Sequence, residues 1–141
     1  MATMLPHLIK GNSYTDERGT VQFNNDFNAF GVKRMYTIQN RDTLFIRGWQ
    51  GHKIEQRWFS VIQGSFQIKL IAIDDWDSPS LDLEQHHFTL NSQNMDVLHV
   101  PAGYVSSIQA LEPSSRLVLM SDYALGEIKD EYRFEINYFT T

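Results

Sequence analysis

The sequence predicts an all-β antiparallel sandwich or barrel, on three observations. Apolar residues nowhere hold the 3.6 spacing of a helix over about 12 residues. Short segments alternate at period two instead. Turns rich in Gly, Pro and Asn separate those segments at even intervals.

In chain order, NSYTDERG at 12–19 reads as a turn-rich opening, followed by a strand over 19–23. NNDFNAFG is a polar turn. VKRMYTIQ at 32–39 is a strand with Arg34, Tyr36 and Ile38 on one face. Asn40 to Thr43 is a turn, and Leu44 starts the strand that leads into RGWQGHKIEQRWFSVIQG, residues 47–64. Within it, residues two apart share a face, so Gln50 and His52 point the same way. Lys53, Glu55 and Arg57 take the opposite parity unless a turn intervenes. So much polar chemistry beside Trp49, Trp58 and Phe59 reads as the wall of a pocket.

Gln63-Gly64 reads as a tight hairpin returning into SFQIKLIAID, where Phe66, Ile68, Leu70 and Ala72 share a face. DDWDSPS is a loop by composition. HHFTL and MDVLHV are short strands around NSQN. Proline in PAG, at 101–103, forces a turn by fixing φ and removing a donor. SRLVLMSDY and YRFEINYF are read as the last strands, the latter with Tyr132, Phe134, Ile136 and Tyr138 on one face. No linker or repeat divides residues 1–141, which read as one domain.

The chain has 141 residues, no cysteine, a formal charge of -5 and a pI near 5.4. Lack of cysteine removes disulfides and thiolate metal sites. The acidic balance argues against nucleic acid or anionic lipid as a partner. Neither a signal peptide nor an apolar run of membrane-spanning length (~18 residues) is visible, so a cytoplasmic protein is expected. A phosphate-bearing small molecule remains compatible, since a few convergent arginines suffice for one; Arg18, Arg34, Arg47 and Arg57 are the candidates.

The focal strand pair and the later VPAGY, about fifty residues on, resemble the two halves of a cupin jelly roll (double-stranded β-helix). Metal-binding cupins carry His-x-His with a nearby Glu, and a histidine three after the PxG glycine. Those places hold Gln50, His52, Glu55 or Gln56, and Ser106 here. One imidazole with amides and a hydroxyl is a poor divalent site, so no metal and no cofactor are expected.

TDERGTV, IRGWQGHK, the IQG turn, SPS, LNSQNMDVLHVPAGY and LMSDYALGE together resemble the dTDP-sugar isomerase branch of the cupins. That branch includes the dTDP-4-dehydrorhamnose 3,5-epimerases and the dTDP-sugar 3,4-ketoisomerases. The resemblance implies a nucleotide-sugar substrate of deoxysugar and surface-polysaccharide biosynthesis. It makes Arg18, Arg47 and Arg57 contacts to the nucleotide sugar, with Gln50, Tyr104 and Ser106 also lining the site. The families' catalytic histidine is Gln50 here, a later histidine is Ser106, and the epimerases' acid tyrosine is Val118. His52 matches the second histidine of the ketoisomerase motif RGxHAHK and becomes the candidate base. Two functions follow: an isomerase or epimerase using His52, or a catalytically inactive nucleotide-sugar-binding cupin. The resemblance also implies a homodimer, with YRFEINYF as the expected interface strand.

Overall fold

The computed structural model describes residues 4–140 as strands and loops, with no helix among the described residues. Twelve strands form: β1 (His7–Ile9), β2 (Asn12–Asp16), β3 (Gly19–Phe23), β4 (Arg34–Ile38), β5 (Ile46–His52) and β6 (Arg57–Gln63). They continue as β7 (Ser65–Ala72), β8 (Gln85–Asn91), β9 (Val97–Val100), β10 (Tyr104–Ala110), β11 (Arg116–Ser121) and β12 (Tyr132–Arg133). One five-stranded sheet runs β1-β9-β6-β11-β4 and the other β12-β5-β10-β7-β8, while β2 and β3 form a separate hairpin. All pairings are antiparallel.

Within the two large sheets, consecutive strands hydrogen-bond to each other only at β7–β8. Every other connection from β4 to β12 passes from one sheet to the other, which is the winding of a jelly roll. The turn at Gly64 is therefore not the hairpin expected from Gln63-Gly64. It carries the chain from β6 in one sheet to β7 in the other. Gly64 has φ 73°, and a Cβ there would press into the Ser115 side chain, so the corner needs glycine.

Alternation decides what lies between the sheets. Phe66, Ile68 and Leu70 of β7 meet Phe59 and Val61 of β6, Leu98 of β9 and Leu117 and Leu119 of β11 in the main core. On β4, Arg34, Tyr36 and Ile38 do share the more buried face, as the period predicts.

Opposite-parity residues Trp49, Ile71 and Val105 form a second cluster with Phe139, on the other face of the β5-β10-β7 sheet. Phe134, Tyr138, Trp76 and Leu83 pack against it. Here the tail departs from expectation. Only Tyr132 and Arg133 extend β5 as a strand, and the remaining aromatics cover the sheet. The Trp49 indole N–H donates to the Ile136 carbonyl at 3.1 Å and the Tyr138 hydroxyl to the Pro79 carbonyl at 2.6 Å. Aromatics with their polar ends satisfied inside the chain are not a spare interface strand. Asn12–Asp16 likewise corrects the sequence reading, since these residues form β2 rather than a turn.

Candidate functional site

A cavity with about 40 Å³ of enclosed space lies between the two sheets, lined by residues of both. Its floor is Ile38, Phe59, Ile108 and Leu119; its polar rim includes Tyr36, Arg47, Gln50, His52, Glu55, Arg57, Tyr104 and Ser106. A few polar groups over an apolar floor are the lining of a small-molecule site.

The parity problem posed by the sequence is solved by a turn. β5 ends at His52 and β6 begins at Arg57 in the facing sheet, so residues 53–56 reset the alternation. His52, Glu55 and Arg57 thus meet at the cavity wall, with side chains 11%, 11% and 7% exposed. Gly51 makes this close approach possible: a Cβ there would collide with the Tyr104 carbonyl and Val105 of β10.

Asp130 organises the turn from the far end of the chain. Its buried carboxylate accepts the backbone N–H groups of Lys53 (3.0 Å), Ile54 (2.8 Å) and Glu55 (2.8 Å). Its own carbonyl lies 2.9 Å from His52 Nδ1. A carbonyl only accepts, so Nδ1 carries the proton of the neutral ring and Nε2 keeps the lone pair. Nε2 finds no partner among the described residues. Burial pushes the His52 pKa below its ordinary value, and the Arg57 charge pushes the same way. The Asp130 carbonyl and the Glu55 and Asp130 charges oppose them.

Arg57 donates to Glu55 at 3.0 Å and to the Tyr36 hydroxyl at 2.6 Å. Ser121 donates to the same Glu55 oxygen at 2.7 Å. The Arg57 Nε–H is buried and has no partner among the described residues. A buried donor left without a partner carries a desolvation cost.

The predicted residues fare unequally. The cavity gathers Arg47, Gln50, His52, Arg57, Tyr104 and Ser106. Arg18 lies elsewhere, on the exposed tip of the β2–β3 hairpin, where it pairs with Asp16 at 2.7 Å. Gln50 donates its amide to Glu131 at 2.6 Å, and Ser106 lies 3.4 Å from the Gln50 carbonyl across the β5–β10 pairing. The Tyr104 hydroxyl donates to the Met4 carbonyl at 3.0 Å, and burial raises its pKa. His99 is packed, stacked on Trp58 with its Nε2 2.7 Å from Gln56 Oε1. Asp130 and Tyr36 were not identified from the sequence. Tyr36 had a signal, its shared face with Arg34 and Ile38; Asp130 had none.

His52, Glu55 and Asp130 stand close enough together to be weighed as a metal site. The donors do not fit one. Asp130 is saturated by three amides, Glu55 already neutralises Arg57, and a guanidinium beside the cluster repels a cation.

The strand order is that of a cupin jelly roll, a fold this chain shares with dTDP-sugar isomerases and epimerases. A family model described as FdtA, WxcM-like, C-terminal, matches residues 4–140, and the chain belongs to that family. No curated protein matches significantly. Among solved structures, a point mutant of the 3,4-ketoisomerase QdtA from Thermoanaerobacterium thermosaccharolyticum, in complex with TDP-4-keto-6-deoxyglucose, superposes with TM-score 0.71. The two are 23% identical over 93% of this chain and 90% of that one. ChmJ, a 3'-monoepimerase from Streptomyces bikiniensis in complex with dTDP-quinovose, gives 0.72 at 14% identity, covering 96% and 72%. A 3,4-ketoisomerase from Helicobacter canadensis gives 0.65 at 19% identity, covering 88% and 89%. At these identities the likeness establishes the shared fold. Among the described residues no helix is long and apolar enough to cross a membrane.

Proposed function

We propose that this chain isomerises or epimerises a dTDP-linked 4-keto-6-deoxyhexose, with His52 as the base. The observation that carries the reading is the cavity-wall imidazole whose Nδ1 is tied to a carbonyl, leaving Nε2 as an acceptor. A 4-keto sugar is acidic at the carbons beside its carbonyl. His52 Nε2 takes the C3 proton, the bond's electrons move toward C4, and the charge collects on the C4 oxygen as an enolate. The Arg57 guanidinium, a cation in the cavity lining, is the charge suited to that oxygen. Tyr36, which accepts from Arg57, retains its own proton for donation into the cavity. For 3,4-isomerisation, the C3 hydroxyl proton leaves as the C3 ketone forms, the C4 oxygen is protonated, and His52 returns its proton to C4 on the same face.

Arg57 is in this reading a contact to the sugar rather than to the diphosphate, because it is too buried to reach past the mouth. Arg47, exposed at the rim, remains the diphosphate contact. Arg18 can serve only if its hairpin reaches the cavity of a second copy. A two-stranded sheet with no third strand, and with Tyr14 and Val21 paired and exposed, is a surface that such a homodimer would cover.

The test is incubation with dTDP-4-keto-6-deoxyglucose in deuterated water, followed by NMR. Deuterium at C3 or C4 is expected. A specific observation favours the second reading, a nucleotide-sugar binder without turnover. Gln50 is tied to Glu131 where the resemblance requires a histidine. Saturable dTDP binding by calorimetry without exchange would select it. A flat titration rules out both, and light scattering at the monomer mass ends the dimer.

A further inference from the structure

Asp130 does not line the cavity, yet its carboxylate is nearly fully buried and accepts three amide hydrogen bonds. Three amide donors in succession converge on it from residues 53–55. That turn connects the last residue of β5 to Glu55 and Arg57. The same residue's carbonyl meets the His52 ring from the other side. Asp130 therefore grips the imidazole with its backbone and the turn behind the imidazole with its side chain.

We propose that Asp130 is a positioning residue that fixes His52 in the Nδ1–H tautomer and aims Nε2 into the cavity. Without the carboxylate, three amides lose their acceptor and the 53–55 turn relaxes. The carbonyl is then no longer held at hydrogen-bond distance from Nδ1. A free neutral imidazole has no such constraint and partitions between both tautomers. Glu55 reinforces the clamp, since its Oε2 lies 3.7 Å from Nδ1 and its Oε1 is pinned by Arg57 and Ser121. The sequence distance between His52 and Asp130 is bridged by β12, whose pairing of Tyr132 with Gly51 and Arg133 with Gln50 brings 130 beside 52.

The proposal rests on the catalytic reading for its purpose but not for its test. Nitrogen-15 NMR of histidine-labelled protein above pH 7 reports the tautomer of each ring directly. In the unmodified protein, His52 is expected as the Nδ1–H form, with slow hydrogen exchange at the Lys53, Ile54 and Glu55 amides. An Nε2–H ring, or unprotected amides at 53–55, overturns the clamp without any variant being made. In Asp130→Asn the amide NH₂ faces backbone donors, so protection at 53–55 falls and the His52 signals move toward a tautomer mixture. His99 keeps its own signals as a check on the barrel. Unchanged His52 signals in a folded Asp130→Asn protein also overturn it. With a turned-over keto sugar, the variant lowers kcat by about 10²-fold with KM unchanged, the scale of a misplaced catalytic group. An inactive wild type with the expected tautomer would defeat the proposed function and leave the clamp standing.

Discussion

Three arginines in this chain each pair with a carboxylate two residues upstream, and two of them, in DER at 16–18 and EQR at 55–57, make the contrast. The local sequence device is nearly the same, and the outcomes are opposite. Arg18 meets Asp16 on the hairpin with 81% of its side chain in water. Arg57 meets Glu55 with 7% exposed, inside a network that includes Tyr36 and Ser121. Hydrogen bonds from Arg18 hold the Asp16 carboxyl below its usual range, but water screens the pair. At the buried pair there is no solvent to take over if one partner leaves. The contrast shows that an ion pair gains structural weight from where the fold puts it, not from its spacing.

The comparison breaks most readily at Glu55. Glu55→Gln leaves the Arg57 charge buried and unpaired, and is expected to cost about 3–5 kcal/mol in chemical denaturation. Asp16→Asn should leave the denaturation midpoint where it was, and equal effects at the two sites would refute the contrast. Next comes His52→Asn, which should lower substrate deuterium exchange by about 10²–10⁴-fold. Its melting temperature should change little, since the asparagine amide can donate to the Asp130 carbonyl in place of Nδ1, and Nε2 has no partner among the described residues.

A smaller effect is expected from pH. Burial depresses both His52 and His99 below the ordinary imidazole value of about 6.5. Between the depressed folded values and 6.5 the unfolded chain binds more protons, so stability rises with pH there. Their contribution is complete above about 6.5 and is lost as pH falls through the folded values. Urea midpoints should therefore drop from pH 7 toward pH 5, less steeply in His52→Asn; a midpoint that climbs on acidification contradicts the burial argument. The smallest effect belongs to Arg18→Ala. It should melt with the wild type while weakening dTDP binding in the proposed dimer, and unchanged affinity would detach the hairpin from the site.

Much of the cavity was legible from the chain because period two survives in a strand whatever its neighbours do. Tyr36 beside Arg34 and Ile38, and Phe66 with Ile68 and Leu70, follow that rule. His52 was legible through HK of the RGxHAHK resemblance. Arg57 was named but given the diphosphate rather than the buried interior, because the 53–56 turn resets parity and no periodicity runs through a turn. YRFEINYF misled for the complementary reason. Alternating aromatics also suit a segment that caps a sheet, and only the vacant face over Trp49, Ile71 and Val105 distinguishes the two.

By itself, the sequence determined the β class and the single imidazole at the focal strand. Those are properties of residue type and local alternation. The tertiary structure alone decided that β6 and β7 lie in different sheets, that Asp130 closes on residues 53–55, and that Arg18 stands apart from Arg47 and Arg57. The reason is physical: a carboxylate's partners are whichever donors the folded chain brings within about 3 Å, and strand order, not sequence order, makes that choice.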